Sequence, residues 1–417
     1  MFDRQLSANK ISMKNCLICN ANIVPFIDFG KMPLGNGFLL PEQFGEEYYF
    51  PMQVGFCQVC GMVQLMDQPD RERMFHDKYA FFSGTSRYMA LHFKAFADHV
   101  IADYLTDGSF VVEIGSNDGI MLQNFAAAGI RHLGIEPSRN VAQAAIDKGV
   151  RTVTEFFGAD LARRIVAENG QADAFLAANV MCHIPYIHSI IEGIRILLKP
   201  TGVVMFEDPY LGDVIEKTSY DQIYDEHTFL FSIASISYLF EKYGLEIIDV
   251  EPQITHGGSM RFVIAHKGAR PVSDAIRRQR AHEKELGLDL PATYDRFREN
   301  CEASRDRLMS LLKGLKAKGK RVVGYGATSK STTITNYCGI TPDLVEFISD
   351  TTPIKHGKFS PGAHIPVRPY EEFVASYPDY ALLFAWNHAQ EIMNKEGAYR
   401  ANGGKWIVYV PQVAVLD

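Results

Sequence analysis

Phe110-Val-Val-Glu-Ile-Gly-Ser-Asn-Asp-Gly-Ile-Met-Leu122 is the stretch whose reading decides the fold. Its first five residues form the apolar run expected of a fully buried parallel strand, and Ile120 to Ala128 reads as the start of a helix. Gly115 and Gly119 lie in the turn between them. A missing Cβ there lets the backbone approach a ligand, and the amides at the helix start favour a polar or anionic group. The next apolar run, Leu133-Gly-Ile-Glu136, ends in an acid. A glycine turn after one strand and a carboxylate at the end of the next suit a nucleoside whose ribose hydroxyls need an acceptor.

The same alternation extends outward. A helix is expected near Tyr88–Leu105 and another near Val141–Lys148, with strands at Thr152–Phe157, Ala174–Asn179 and Gly202–Glu207 and a helix at Ile187–Leu198. Strands and helices at this spacing imply a mainly parallel sheet with its ligands beyond the carboxyl ends of the strands. That rule gathers Glu113–Gly119, Glu136, Glu155–Phe157, Asn179–His183 and Glu207–Tyr210 around one crevice. The form Glu113-x-Gly115-x-x-x-Gly119, with Glu136, resembles the S-adenosylmethionine loop of class I methyltransferases more closely than the Gly-x-Gly-x-x-Gly dinucleotide fingerprint. Tyr79-Ala-Phe-Phe-Ser-Gly84, just ahead, is an aromatic loop placed to close over a cofactor or simply to fill a core.

Toward the start of the chain stand Cys16-Leu-Ile-Cys19 and Cys57-Gln-Val-Cys60. Each Cys-x-x-Cys knuckle can present two thiolates to one cation, so Cys16, Cys19, Cys57 and Cys60 complete a tetrahedral zinc site with no open position, which makes the ion structural. Such an ion lets a segment too small for its own core fold. The intervening Phe29–Phe38 is rich in turn residues and reads as irregular. Cys182, Cys301 and Cys338 have no partner spacing and read as ordinary buried cysteines.

At 417 residues the chain is too long for one ordinary domain. An apolar share of 47% with 22% charged residues is that of a globular protein with ample core. A net charge of -7 and a pI near 6.0 give no general attraction for nucleic acid or anionic membrane. No long apolar span or signal segment is visible, so a cytoplasmic location with reduced cysteines is expected.

Toward the C-terminus, the mixed charges from Asp274 to Leu315 read as a solvated helical connector. Lys320-Arg-Val-Val-Gly-Tyr-Gly-Ala-Thr-Ser-Lys330 then opens a second αβ rhythm, with later strands at Val345–Asp350, Tyr380–Trp386 and Trp406–Val410. Its turn lacks the third fingerprint glycine; glycines, the hydroxyls of Thr328 and Ser329, and Lys330 equally suit a diphosphate. Proton transfer is suggested by Tyr220-Asp-Gln-Ile-Tyr-Asp-Glu-His-Thr-Phe229, where His227 stands beside Tyr224 and Glu226, and by His183 in Asn179-Val-Met-Cys-His. His256-Gly-Gly-Ser-Met-Arg261 is a glycine turn whose His256 and Arg261 suit a polyhydroxyl or phosphate group.

Taken in order, these motifs resemble the three-domain sugar C-methyltransferases, which act on nucleotide-linked 4-keto-deoxysugars. The resemblance spans nearly the whole chain, with Gly324–Thr335 and Leu383-Phe-Ala-Trp-Asn-His388 particularly family-like. It implies a zinc-binding domain over residues 1–75, a class I, Rossmann-like methyltransferase domain over 76–268, a helical connector over 269–319, and a C-terminal Rossmann-like αβ domain over 320–417 that helps hold the nucleotide sugar. It also implies methylation of C-3 after His227 removes the proton beside the ketone, with Tyr224 and Glu226 orienting it or contacting the sugar and Tyr79 and His183 near the sugar and methyl donor. Glu113, Gly115, Asn117 and Asp118 would hold the amino-acid end of S-adenosylmethionine, Glu136 its ribose, and Glu155, Phe156 and Phe157 its adenine, with Gly119, Pro137 and Asn179 also binding the cofactor. Thr328, Ser329 and Lys330 would take the diphosphate. A monomer is expected. The rival readings are an N- or O-methyltransferase of a sugar or small molecule, and an oxidoreductase or epimerase holding NAD at Gly324–Lys330.

Overall fold

The computed structural model describes residues 14–74, 83–85 and 87–417. Its central sheet has seven strands, in the spatial order Leu245–Gln253, Ser259–His266, Leu198–Pro209, Ala172–Ala178, Phe110–Ile114, Arg131–Ile135 and Thr152–Val153. Ser259–His266 runs antiparallel to both its neighbours, and the remaining pairings are parallel. The apolar runs produce this because alternate side chains leave opposite faces of a strand. Val112, Phe175 and Phe206 join one buried layer, whereas Val111, Leu176 and Met205 join the layer on the other face. Helices Ile187–Leu197 and Arg87–Tyr104 cover the two layers through Ile190 and Ile194 on one side and Phe96 and Val100 on the other.

Several expected elements change length. The strand expected over Thr152–Phe157 stops at Val153, and Phe157 instead leaves the sheet to pack on Phe175 with ring centres 5.3 Å apart. The pair Leu245–Gln253 and Ser259–His266 was not anticipated. Charges interrupt the first of these strands, so its apolar signal is weak.

The N-terminal sheet is antiparallel, in the order Lys14–Asn15, Asn22–Pro33, Tyr49–Phe56, Val63–Leu65 and Phe229–Leu230. Its last strand comes from the segment after the central sheet's Leu198–Pro209, which locks the two units together. Part of the stretch expected to be irregular is therefore strand. It runs to Pro33, with a register shift between Asp28 and Lys31 where Gly30 takes φ +81°. The C-terminal sheet runs Val367–Pro369, Ile348–Asp350, Val322–Tyr325, Tyr380–Leu383, Lys405–Val408 and Ala414–Leu416, parallel except at the last pairing.

Between them, the connector is less solvated than its charges suggest. Helix Pro291–Ala317 buries Phe297, Cys301, Leu308 and Leu312 at helical spacing, and Tyr294 stacks on Phe56 of the N-terminal sheet with centroids 4.2 Å apart. Helix Asp274–Leu286 buries Glu283, which accepts the Tyr210 hydroxyl (2.9 Å) and the amides of Ile233 (2.6 Å) and Ala234 (3.2 Å). No helix among the described residues is long and apolar enough to cross a membrane.

Candidate active site

The carboxyl ends of central strands, the turn around Asn36 and the start of helix Ser329–Cys338 enclose a cavity of about 360 Å³, within the ~300–1,000 Å³ usual for small-molecule sites. Gly115, Asn117, Glu136, Pro137, Glu155, Phe156, Phe157 and Asn179 line one end. Gly115 takes φ +60°, and a Cβ there would stand 2.3 Å from Val180 Cγ2, so both backbone angle and space exclude a side chain. Glu136 accepts the Asn117 amide (3.1 Å) and the Ser138 amide (2.8 Å), tying the glycine turn to the neighbouring strand. Burial raises its pKa against the pull of those amides. Asn179, at φ +57°, has a buried Oδ1 with no partner among the described residues.

Three residues expected to touch the cofactor lie behind this surface. Glu113 is fully buried, and burial, then the charges of Glu136 and Asp118, push its pKa well up. Asp118 accepts from Lys148 Nζ (3.0 Å) and the Gly84 amide (3.1 Å), and Gly119 fits against Val150 and Ala145. They shape the turn rather than line the cavity. Tyr79 lies outside the described residues, as does most of the aromatic loop.

The middle of the cavity is built on Tyr220–Thr228, clasped from two sides. The Gly35 amide donates to Asp225 Oδ1 and Asn36 Nδ2 to Glu226 Oε1, both at 2.8 Å, while Thr333 Oγ1 donates to the Ile223 carbonyl at 2.8 Å. Tyr224, Glu226 and His183 line the cavity. His227 does not; its ring stands one layer back, 4.0 Å from the Tyr224 ring and 5.2 Å from that of His183, centre to centre. A carbonyl only accepts, so the 2.6 Å contact from His227 Nδ1 to the Gln222 oxygen puts the proton on Nδ1. Nε2 is left with its lone pair and no partner among the described residues. Burial, then His183, pushes the pKa of His227 well below the ordinary value, and burial takes His183 to about 3, so both rings are neutral at ordinary pH.

At the other end lie Thr328, Ser329, Lys330, His256, Lys355, Asn387 and His388. Thr328 caps its helix by accepting the Ser331 amide at 3.2 Å. Lys330 Nζ donates to the His256 carbonyl (3.2 Å) and Asn387 Oδ1 (3.3 Å), and burial, opposed by Asp221, takes its pKa to about 8. Lys355 Nζ donates to the Ala327 carbonyl at 2.7 Å.

Arg261 does not reach this end. It pairs with Glu207 (2.9 Å) and Glu251 (3.0 Å) and lies over the Phe96 ring. Glu207 also receives His92 and Thr255. Burial would raise its pKa, but His92 and Arg261 outweigh burial and hold it at about 2. The fifth strand end is thus a buried ionic cluster beside the cavity, not part of its wall. Asn36 and Lys355, by contrast, line the cavity without having been anticipated. The hint at the former was the Gly35-Asn-Gly37 turn. Lys355 gave none, because only the strand order brings it beside Ala327.

The four paired cysteines form a separate centre. Cys16 and Cys60 sulfurs are 3.5 Å apart, those of Cys19 and Cys57 3.4 Å, and all four lie within 4.8 Å of one another. Zn–S bonds of ~2.3 Å place tetrahedral sulfurs ~3.8 Å apart, so the cluster fits zinc. The knuckles turn at Asn20 (φ +62°) and Gly61 (φ +71°), whose amides donate to the Cys16 and Cys57 carbonyls at 2.9 Å.

Three protein families match successive parts of the chain: a zinc binding domain over 16–75, a methyltransferase domain over 87–250, and a C-methyltransferase C-terminal domain over 254–411. The C-methyltransferase NovU of Streptomyces niveus is 35% identical over 406 residues, covering 96% of each chain. Among solved structures, the magnesium protoporphyrin IX methyltransferase of Synechocystis (16% identity, 43% of this chain, 83% of that one, TM-score 0.35) is similar only in part. So is a methyltransferase of Anabaena variabilis (16%, 43% and 86%, TM-score 0.35), and neither carries weight at that score. With the cysteine cluster, the glycine turn and near-complete coverage by one relative, the chain belongs to the C-methyltransferases: it is an S-adenosylmethionine-dependent C-methyltransferase of class I fold with a zinc-binding N-terminal domain.

Proposed function

We propose that the protein methylates C-3 of a nucleotide-linked 4-keto-deoxysugar through an enolate, with His227 as the base. The carrying observation is the fixed tautomer of His227: Nδ1–H held by the Gln222 carbonyl and Nε2 left as a buried lone pair. A carbon beside a ketone loses its proton only when a base and oxyanion donors act together. S-adenosylmethionine, when bound, supplies an electrophilic methyl group. The sugar's keto edge lies against Tyr224 and His183, and Tyr224 swings off the imidazole so that Nε2 takes the C-3 proton. Burial disfavours imidazolium, but the enolate forming beside it supplies the compensating charge. The Tyr224 hydroxyl donates to that oxyanion, and Glu226, held by Asn36, orients a sugar hydroxyl. The bound donor would supply the methyl carbon that C-3 takes up, and the protein's part in that transfer would be mainly position.

In this reading Asn179, Glu136 and Phe156–Phe157 hold the donor at one end, and Ser329, Lys330 and Lys355 hold the diphosphate at the other. Residues 1–75, 76–268, 269–319 and 320–417 act as zinc domain, donor domain, connector and nucleotide domain of a cytoplasmic monomer. The test is exchange of the C-3 hydrogen of a 4-keto nucleotide sugar in deuterated buffer without methyl donor. Exchange that the wild type catalyses and His227→Gln does not supports the reading; turnover with no such exchange, or undiminished in His227→Gln, overturns it.

A further inference from the structure

A second set of metal-ligating side chains lies apart from the four-cysteine centre. Cys182, His183 and His227 are all buried, and one ligand atom from each lies within 4.8 Å of the others. Geometry around two of them goes beyond proximity. His227 donates Nδ1–H to a backbone carbonyl and presents Nε2 without a partner among the described residues, the arrangement that holds an imidazole in place on a metal. Cys182 sits against Asp208, whose Oδ2 accepts the Cys182 amide at 3.2 Å. His183 lines the cavity, which gives a cation a way in and a position open to solvent or substrate.

We propose that Cys182, His183 and His227 form a second site for one borderline divalent cation such as zinc, and that its occupation silences the enzyme by taking the His227 nitrogen. The inhibitory half of this rests on His227 being the base; the binding half does not. Zinc takes cysteine sulfur and histidine nitrogen together, and three protein ligands with one open position is the form of its open sites. Binding exchanges the Cys182 S–H bond for a bond from sulfur to the cation, and the proton leaves to solvent through the cavity that His183 lines. The cation gains a Zn–S bond and two Zn–N bonds, and no redox change is involved.

The test uses the full-length, zinc-loaded protein. Free zinc is titrated against a chromophoric chelator, and cobalt(II) is added in parallel to look for a new thiolate-to-metal charge-transfer band. The expected result is one equivalent more in the wild type than in Cys182→Ser or His227→Gln, each of which keeps the four-cysteine ion. Methyl transfer by Cys182→Ser should match wild type without added zinc and require at least tenfold more zinc for half-inhibition. Equal zinc uptake by wild type and both variants, or no new cobalt band in the wild type, overturns the site. Should Cys182→Ser fold poorly, Cys182→Ala and the wild-type cobalt spectrum decide alone. If the extra equivalent depends on His227 while His227→Gln turns over normally, the site stands and the base assignment falls.

Discussion

The two glycine turns of the molecule use one construction for opposite ends. After strand Phe110–Ile114, the Asn117 amide is held by Glu136, which also accepts the amide two residues after itself, Ser138. After strand Val322–Tyr325, the Ala327 amide is held by Asp350, which likewise accepts the amide of Thr352, each at 2.7 Å. Backbone and carboxylate brace are the same; the surrounding charge is not. Glu113 and Asp118 crowd the first turn, whereas Lys330 and Lys355 flank the second, beside the start of a helix. An acidic turn suits a donor that carries a sulfonium and an ammonium, and a basic one suits phosphates. In the proposed reading, the sign of the neighbours, rather than the turn, sets what each end accepts.

The largest effect expected lies between the turns. His227→Gln should lower turnover about 10²–10⁴-fold, the usual worth of a positioned base, while leaving the affinity for S-adenosylmethionine and for the nucleotide sugar within a factor of about two. Turnover near wild type would break the division between ends that hold and a middle that reacts.

Next come the turns themselves. Lys330→Ala should weaken nucleotide-sugar binding about tenfold or more, as loss of a charged hydrogen bond does, and leave donor binding unchanged. Glu136→Ala should do the reverse, measured by calorimetry with each ligand in turn. If either variant weakens both ligands equally, the two ends are not independent. Acidity sharpens the same contrast. Because the pKa of Lys330 in the folded protein lies below its ordinary value, at about 8, its charge is present below that pH and lost above it. The ratio kcat/KM should therefore fall as pH rises through about 8 in the wild type, and Lys330→Arg should move that fall upward. No loss is expected around 6.5, since His227 stays neutral there.

The smallest effect concerns the turn from the zinc-bound sheet. Asn36→Ala removes the 2.8 Å hydrogen bond to Glu226, a loss of about 1 kcal/mol, or roughly fivefold in kcat/KM, with unchanged donor affinity and unchanged zinc content. A large drop in zinc content would mean that Asn36 supports the fold instead.

Much of this was legible in residue order. The apolar strand Phe110–Ile114, the alternation that follows it and the two cysteine knuckles each carry local signals that tertiary packing reinforces. Where tertiary contacts decide, the reading failed. Arg261 seemed poised at a glycine turn, but Glu207 and Glu251 claim it once Ser259–His266 joins the sheet. Glu283, within a run of charges, is drawn inside to bind two helix-start amides. Asn36 reaches the cavity because a distant strand, Phe229–Leu230, joins the N-terminal sheet.

By itself, the sequence determined the strand–turn–helix units, the zinc ligands and the family, because each depends on neighbours a few residues apart or on a fixed spacing. Only the tertiary structure decided which polar side chains face the cavity, that His227 sits one layer behind Tyr224, and which nitrogen of its ring is free. Those outcomes depend on carbonyls, carboxylates and rings contributed by segments far apart in the chain, and burial gives such partners their strength.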